Sequence, residues 1–387
     1  MKKYLEINLT PLFKEFYESE KAGGLTLIFC TAISLILANS AFQTDYLNFW
    51  HTPFAGHSIV HWINDGLMTI FFLLIGLELE REIYIGELSS LKKALLPTIG
   101  ALGGMLVPAS IYLFINYGTA GQAGAGIPMA TDIAFALGIL SLLGNRVPTS
   151  LKLFLTALAV IDDLGAIVVI AIFYTSTIVW TNLIIVVLIM GFLFILNRMK
   201  VSNLIPYFIG GIIMWYLMLD SGIHATIIGV VLAFLIPFGN GETKSSSYKL
   251  QHYLHKPVAF FILPLFALAN TAIVINGGFL SIVENSYSLG ILAGLAIGKP
   301  LGITLFCFIG VTLGFCELPR EINWKHIFGA GILGGIGFTM SIFICLLSFD
   351  NETMINNAKF IVLISSLLSG SVGFLYLKFL LNKKEVA

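Results

Sequence analysis

Residues 151–175 read LKLFLTALAVIDDLGAIVVIAIFYT, an apolar run of membrane-crossing length with two adjacent acids, Asp162 and Asp163, at its centre. A helical span needs ~20 mostly apolar residues, and this stretch supplies them. A charge at the middle of such a helix costs ~2.5–3.5 kcal/mol on insertion scales, so two together need a reason beyond packing. The rest of the chain agrees with a membrane setting. Of 387 residues, 57% are hydrophobic and 11% charged, against roughly 45–50% and about 25% in soluble domains. Mean hydropathy is +0.93. Such a chain has too little charge to cover its own surface in water, and it reads as an integral membrane protein. Lys plus Arg equals Asp plus Glu, 21 each, so the charge balance gives no argument for nucleic acid or another anionic partner.

Applied along the chain, the same ruler finds twelve apolar runs: near 25–41, 59–77, 94–117, 125–143, 151–175, 178–196, 204–219, 223–238, 257–275, 288–310, 327–347 and 360–381. They are long and continuous, unlike the short alternating segments of a transmembrane barrel. The expectation is an all-α polytopic membrane protein of about twelve helices forming one transporter domain over 1–387. Lys and Arg then set the orientation. With the N-terminus cytoplasmic, inside segments hold 19 of the 21 basic residues; Lys359 lies outside and Lys299 within a span. Both termini are expected to face the cytoplasm. The polar first 24 residues carry no signal-peptide pattern, and residues 11–22 could lie on the membrane surface. The outside connection 42–58, with Pro53 and Gly56, could form a hairpin, and Ser245-Ser246-Ser247 reads as flexible linker. Cys30, Cys307, Cys316 and Cys345 are scattered and form no metal or disulfide pattern.

Besides Asp162 and Asp163, Asp132 lies near the middle of 125–143 and Lys299 at the middle of 288–310. One buried salt bridge would accommodate Lys299 with one carboxylate and leave two acids without a partner. Function therefore explains the set better. Adjacent residues on a helix are rotated by roughly 100°, so Asp162 and Asp163 can both reach one cavity. Two such carboxylates resist ionising together and can exchange protons for a cation. Sodium and lithium, as hard cations, prefer oxygen ligands. No resident cofactor is implied.

The segment carrying Asp132 is also broken. Gly124, Gly126 and Pro128 precede Ala130-Thr131-Asp132, and a second break falls at Gly331, Gly334, Gly335 and Gly337 before Phe338-Thr339. Irregular backbone at membrane depth is tolerated only inside protein or beside water. Each break lies in the second member of a triplet, 94–175 and 288–381, and the two triplets enter the membrane from opposite sides. Inverted repeats with paired broken helices, crossing near the bilayer midplane, point to a secondary transporter whose site lies between them. Asp132 and Lys299 carry the right signs to neutralise the facing half-helix ends; Asp132 could equally bind the ion.

Four motifs, Ala130-Thr131-Asp132-Ile133-Ala134-Phe135-Ala136, Ile161-Asp162-Asp163-Leu164-Gly165-Ala166, Gly298-Lys299-Pro300-Leu301-Gly302 and Gly335-Ile336-Gly337-Phe338-Thr339-Met340-Ser341, resemble those of the NhaA family of bacterial sodium/proton antiporters. The resemblance runs from about residue 11 to residue 380. It implies electrogenic exchange of cytoplasmic Na⁺ or Li⁺ for external H⁺ across the inner membrane by a homodimer joined partly through 42–58. It also implies that Asp162 and Asp163 bind the ion and protons, and that Thr131, Asp132 and Lys299 belong to the broken-helix centre. Glu78, Glu82, His224 and His252 match positions of a pH sensor. Where the family pattern has a glutamate before His252, this chain has Gln251.

Readings from other classes fit less well. An intramembrane aspartyl protease places its acids on different helices in a Gly-x-Gly-Asp setting, absent here. A passive cation channel lines its pore from several subunits, whereas this chain carries its own repeat. A K⁺/H⁺ exchanger stays open, because carboxylates alone do not set ion choice.

Overall fold

In hydrocarbon every backbone N–H and C=O must be satisfied within the protein, and a helix does this within one segment. The computed structural model, which describes residues 11–175, 178–239, 245–275 and 279–382, accordingly places each of the twelve apolar runs on helix. The protein is an all-α polytopic membrane protein. Among the described residues eight helices are long and apolar enough to cross a membrane, or ten if each of two bent pairs counts as one span. The shortfall from twelve lies at 204–219, which yields only the 15-residue helix Ile205–Leu219, and at 223–238, where Ile227–Leu235 has nine residues. Both are rich in β-branched and aromatic residues that satisfy the hydropathy ruler without filling its length in helix.

Two local expectations change, and the hairpin expected within 42–58 forms. The backbone of 11–22 is part of the continuous helix Pro11–Ala38 instead of a separate surface helix. The connection 42–58 begins with a helix, Gln43–His51, and only Pro53–Phe54 pairs with His57–Ser58 as a minimal antiparallel hairpin. The serine tract is no linker. Ser245 caps a helix by accepting from the Tyr248 N–H at 3.2 Å, as serine is suited to do, and that helix runs unbroken by any gap from Ser246 to Asn270. Lys2, Lys3, Lys244, Lys383 and Lys384, which contribute to the charge asymmetry, lie outside the described residues.

The main apolar core is built around the aspartate helix Thr149–Phe173, where Leu151, Leu155 and Leu158 are buried, and the two broken segments. A smaller core joins Trp180–Arg198, Ile205–Leu219 and Ile227–Leu235 to Leu73 and Leu77 of the helix Ile59–Tyr84. Trp180–Arg198 buries only 11% of its apolar window and exposes Ile184, Val187 and Leu188. In water such a face would be a liability; in lipid it is the ordinary outer surface. The helices Lys92–Asn116 and Ser286–Thr312 cross so closely that a Cβ at Gly103 would lie 2.2 Å from the Gly302 carbonyl oxygen, and one at Gly302 as close to that of Gly103. Small residues at such a crossing let two backbones touch. That contact carries Lys299, one residue past a π-helical turn at Gly294–Gly298, into the centre of the protein.

Candidate ion-exchange site

The two breaks meet. Between the 3₁₀ segment Gln122–Met129 and the helix Ile133–Leu142, Ala130 and Asp132 adopt extended backbone. Between Trp324–Gly334 and Phe338–Ser348 the chain bends by 48°. The Asp132 N–H donates to the Ile336 carbonyl at 2.6 Å, joining one break directly to the other.

Asp132 then serves both half-helices that start there. Its Oδ1 accepts from the Phe135 N–H at 2.9 Å, the usual bond of an aspartate N-cap. Its Oδ2 accepts from the Thr339 N–H at 3.0 Å and the Thr339 hydroxyl at 2.5 Å, in the first turn of the second half-helix. One carboxylate thus sits against two positive helix ends. Asp132 also lines the cavity described below, so its carboxylate both caps these helix ends and faces that space. Thr339 is the partner that sequence reading passed over. Its place in the first turn after a glycine break is the signal that could have found it.

At the opposite helix ends, the Thr131 hydroxyl lies 2.9 Å from the carbonyl oxygen of Gly334, the last residue of its half-helix. The same hydroxyl is 2.7 Å from Asp162 Oδ2 and accepts from the Lys299 ammonium at 2.9 Å. Lys299 also pairs directly with Asp162 Oδ2, and both side chains are fully buried. The structure therefore gathers Thr131, Asp162 and Lys299 into one polar knot.

Asp163, turned away from that knot by the helical rotation between neighbours, is 1% exposed, and its Oδ1 has no hydrogen-bond partner among the described residues. It lines a narrow cavity of about 30 Å³ with Phe71, Glu78, Asp132, Thr339 and Met340. That is room enough for a water molecule. The carboxylates of Asp163, Asp132 and Glu78 and the Thr339 hydroxyl on the cavity wall are hard oxygen groups, the kind of donor a small monovalent cation takes. Among the described residues no group of three or more His, Cys, Asp or Glu could hold a metal.

The helix Ile59–Tyr84 links this cavity to a second cluster at its C-terminal end. Glu78 lies 3.5 Å from His255 Nε2, and the Ser247 hydroxyl donates to Glu80 Oε2 at 3.4 Å. Ser247, Gln251 and His255, spaced by four residues, form one buried stripe facing those acids. Glu82 is half-buried one turn after Glu78. His252 is exposed and stacks on Tyr248 with ring centroids 6.5 Å apart. The histidine brought to Glu78 is His255, three residues further on. His224 is not in this cluster; its Nε2 lies 3.0 Å from the Tyr174 carbonyl oxygen.

Residues 14–377 match the model of the family described as Na⁺/H⁺ antiporter 1. The chain belongs to that family. Its similar proteins include the Na⁺/H⁺ antiporter NhaA of Flavobacterium psychrophilum, 66% identical over 97% of this chain and 98% of that protein. The Na⁺/H⁺ antiporter NhaA 1 of Flavobacterium johnsoniae is 64% identical over 98% of this chain and all of its own length. The Na⁺/H⁺ antiporter NhaA of Cytophaga hutchinsonii is 59% identical over 97% of each chain. Within this Na⁺/H⁺ antiporter 1 chain, Thr131, Asp132, Asp162, Asp163 and Lys299 are all buried together at the meeting of the two breaks.

Proposed function

We propose that the protein exchanges cytoplasmic Na⁺ or Li⁺ for external H⁺ across the bacterial inner membrane, with Asp162 and Asp163 as the ion- and proton-binding carboxylates. The observation that carries this reading is Asp163, a buried acid with an orphaned oxygen opening onto a cavity of water size. Deprotonated, the pair offers oxygen ligands to a desolvated cation; protonated, it releases the cation and carries H⁺ back. Electrogenic exchange moves more protons than sodium ions per cycle. Lys299 supplies positive charge beside Asp162 when the cation is absent. The names of its relatives favour Na⁺ over K⁺.

In this reading 94–175 and 288–381 are inverted repeats within a single domain, a relation supported by contact between their first helices at Gly103 and Gly302 and between their breaks. Both termini are cytoplasmic, which places the Glu78–His255 cluster at the inner end as a pH sensor. A homodimer forms partly through the 42–58 segment. The decisive experiment is dissipation of ΔpH in everted membrane vesicles on adding Na⁺, Li⁺ or K⁺. Wild type should respond to Na⁺ and Li⁺. Asp163→Asn should abolish the response and Asp162→Asn nearly so. Near-normal Na⁺-induced dissipation by either properly inserted variant would reject the assignment.

A further inference from the structure

A groove of about 470 Å³ lies against a different face of Ile59–Tyr84 from the ion cavity. It takes Trp62, Gly66, Thr69 and Leu73, spaced by three or four residues along one side of that helix. The ion cavity takes Phe71, Ile75 and Glu78 from another side. Phe208, Ile212 and Trp215 of Ile205–Leu219 form the facing wall, and Leu232 and Leu254 complete it from two further helices. Missing side chains help to make the space. A Cβ at Gly66 would meet only the Trp62 ring, at 3.7 Å, with open space beyond.

The side-chain polar groups on its wall are already used. Trp62 Nε1 donates to the Phe54 carbonyl at 2.8 Å, while Trp215 Nε1 and the Thr69 hydroxyl both donate to the Asp65 carbonyl, at 3.0 and 2.5 Å. A ligand would therefore meet hydrocarbon and ring faces and find no free donor among these groups. The groove opens beside Phe208 and Ile212, which are 36% and 66% exposed on an apolar helix, so its mouth faces lipid. From Trp62 to Leu73 it follows eleven residues, about 16 Å of helix. That is half of the ~30 Å hydrocarbon core, the depth of one leaflet. One end is marked by Trp62 and Trp215, whose rings lie 6.0 Å apart near the start of one helix and the end of another. Tryptophan is enriched where the bilayer meets water, and Asp65 and Asp220 stand at the same end. The other end, at Leu73 and Leu254, is apolar. Polarity thus changes along the groove as it does along a lipid.

We infer that this groove holds one acyl chain of a bilayer phospholipid, from the leaflet whose headgroups lie level with Trp62 and Trp215. Its volume spread over its length leaves a cross-section of about 30 Å², some 6 Å across. That suits a single hydrocarbon chain. A helix from a second copy, roughly 10–12 Å across with its side chains, is too wide to enter. Packing holds the acyl chain, since burial from lipid into protein brings no hydrophobic gain. The site does not depend on which ions the protein exchanges.

The test counts phosphatidylethanolamine carried by the purified protein in detergent, by native mass spectrometry. Wild type should keep one lipid per protomer through detergent exchange. Gly66→Leu places a side chain in the groove and should lower that occupancy about tenfold or more, as loss of ~1.4 kcal/mol of packing would. Gly191→Leu makes the same change on the lipid-facing helix Trp180–Arg198, where a Cβ meets nothing within 4 Å, and should keep the lipid. A second measurement decides the matter should Gly66→Leu insert poorly. Phosphatidylethanolamine brominated midway along its acyl chains, added at one per protomer, should quench the tryptophan fluorescence of wild type. Trp62→Phe/Trp215→Phe should lose most of that quenching. Unchanged occupancy in Gly66→Leu, an equal loss in Gly191→Leu, or quenching that survives the double variant would each overturn the inference. So would a Gly66→Leu protein that keeps its lipid but changes its oligomeric state, which would assign the groove to a second copy.

Discussion

At the scale of single residues, the centre is organised by who receives which hydrogen bond. Asp132 accepts from Phe135 on one half-helix and from Thr339 on the other, so it is an N-cap used twice. An aspartate N-cap replaced by alanine costs typically about 1 kcal/mol. Asp132→Ala should therefore lower stability by about 2 kcal/mol, read as a fall in Tm in detergent, with Thr339→Val losing about half as much. An unchanged Tm for Asp132→Ala would show that the caps are dispensable. The acids themselves were legible in the sequence because charge in hydrocarbon is expensive. Which member of the pair takes the lysine was not. That depends on a 100° difference in direction between Asp162 and Asp163, and only the packed helices decide which direction meets Lys299.

Secondary-structure elements show where the hydropathy ruler misleads. It delimits apolar stretches well, yet it begins the ninth span at 257, whereas the helix begins at Ser246. The missed turns are polar because they face acids, not lipid: Ser247 meets Glu80 and His255 meets Glu78. The same stripe explains why His252, matched by sequence pattern, is exposed while His255 is buried; four-residue spacing from Ser247 selects 251 and 255. Gln251 is consequently buried on the face turned to the acids, so this departure from the family pattern lies in a packed position and not in a solvated loop. A carboxylate introduced there would titrate together with Glu78 and Glu80 rather than alone. Gln251→Glu should shift or steepen the dependence of exchange activity on pH relative to wild type, measured as ΔpH dissipation across a pH series. Superimposable profiles would remove Gln251 from any sensor role.

For the molecule as a whole, the all-helical membrane architecture and the pairing of the two breaks were legible because both follow from backbone hydrogen bonding in lipid. The number of full-length spans was not, since a run such as 223–238 can be apolar throughout and still be helical for only nine residues. Nor was the groove beside Trp62 and Trp215, which exists only where four separate helices converge. The carboxylate site proposed for both ions has a consequence at this scale. Protons and Na⁺ cannot occupy the same deprotonated ligands, so apparent Na⁺ affinity should weaken as pH falls, by up to about tenfold per unit where one proton competes. The apparent KM for Na⁺ should be followed between about pH 6.5 and 8.5, the window in which perturbed groups ordinarily titrate. A constant value across that window would exclude direct competition.

The bonds that close the centre also impose an order in time. Asp132 finds Thr339 207 residues later in the chain, and Asp162 finds Lys299 137 residues later. With synthesis running at roughly 5–20 residues per second, Asp132 emerges some 10–40 s before its second partner exists. During insertion Asp132 and Asp162 enter the membrane region before Thr339 and Lys299 have been made. The nascent first half must therefore stay beside water or the insertion machinery until the second half arrives, and its capture completes the site and the fold in one event.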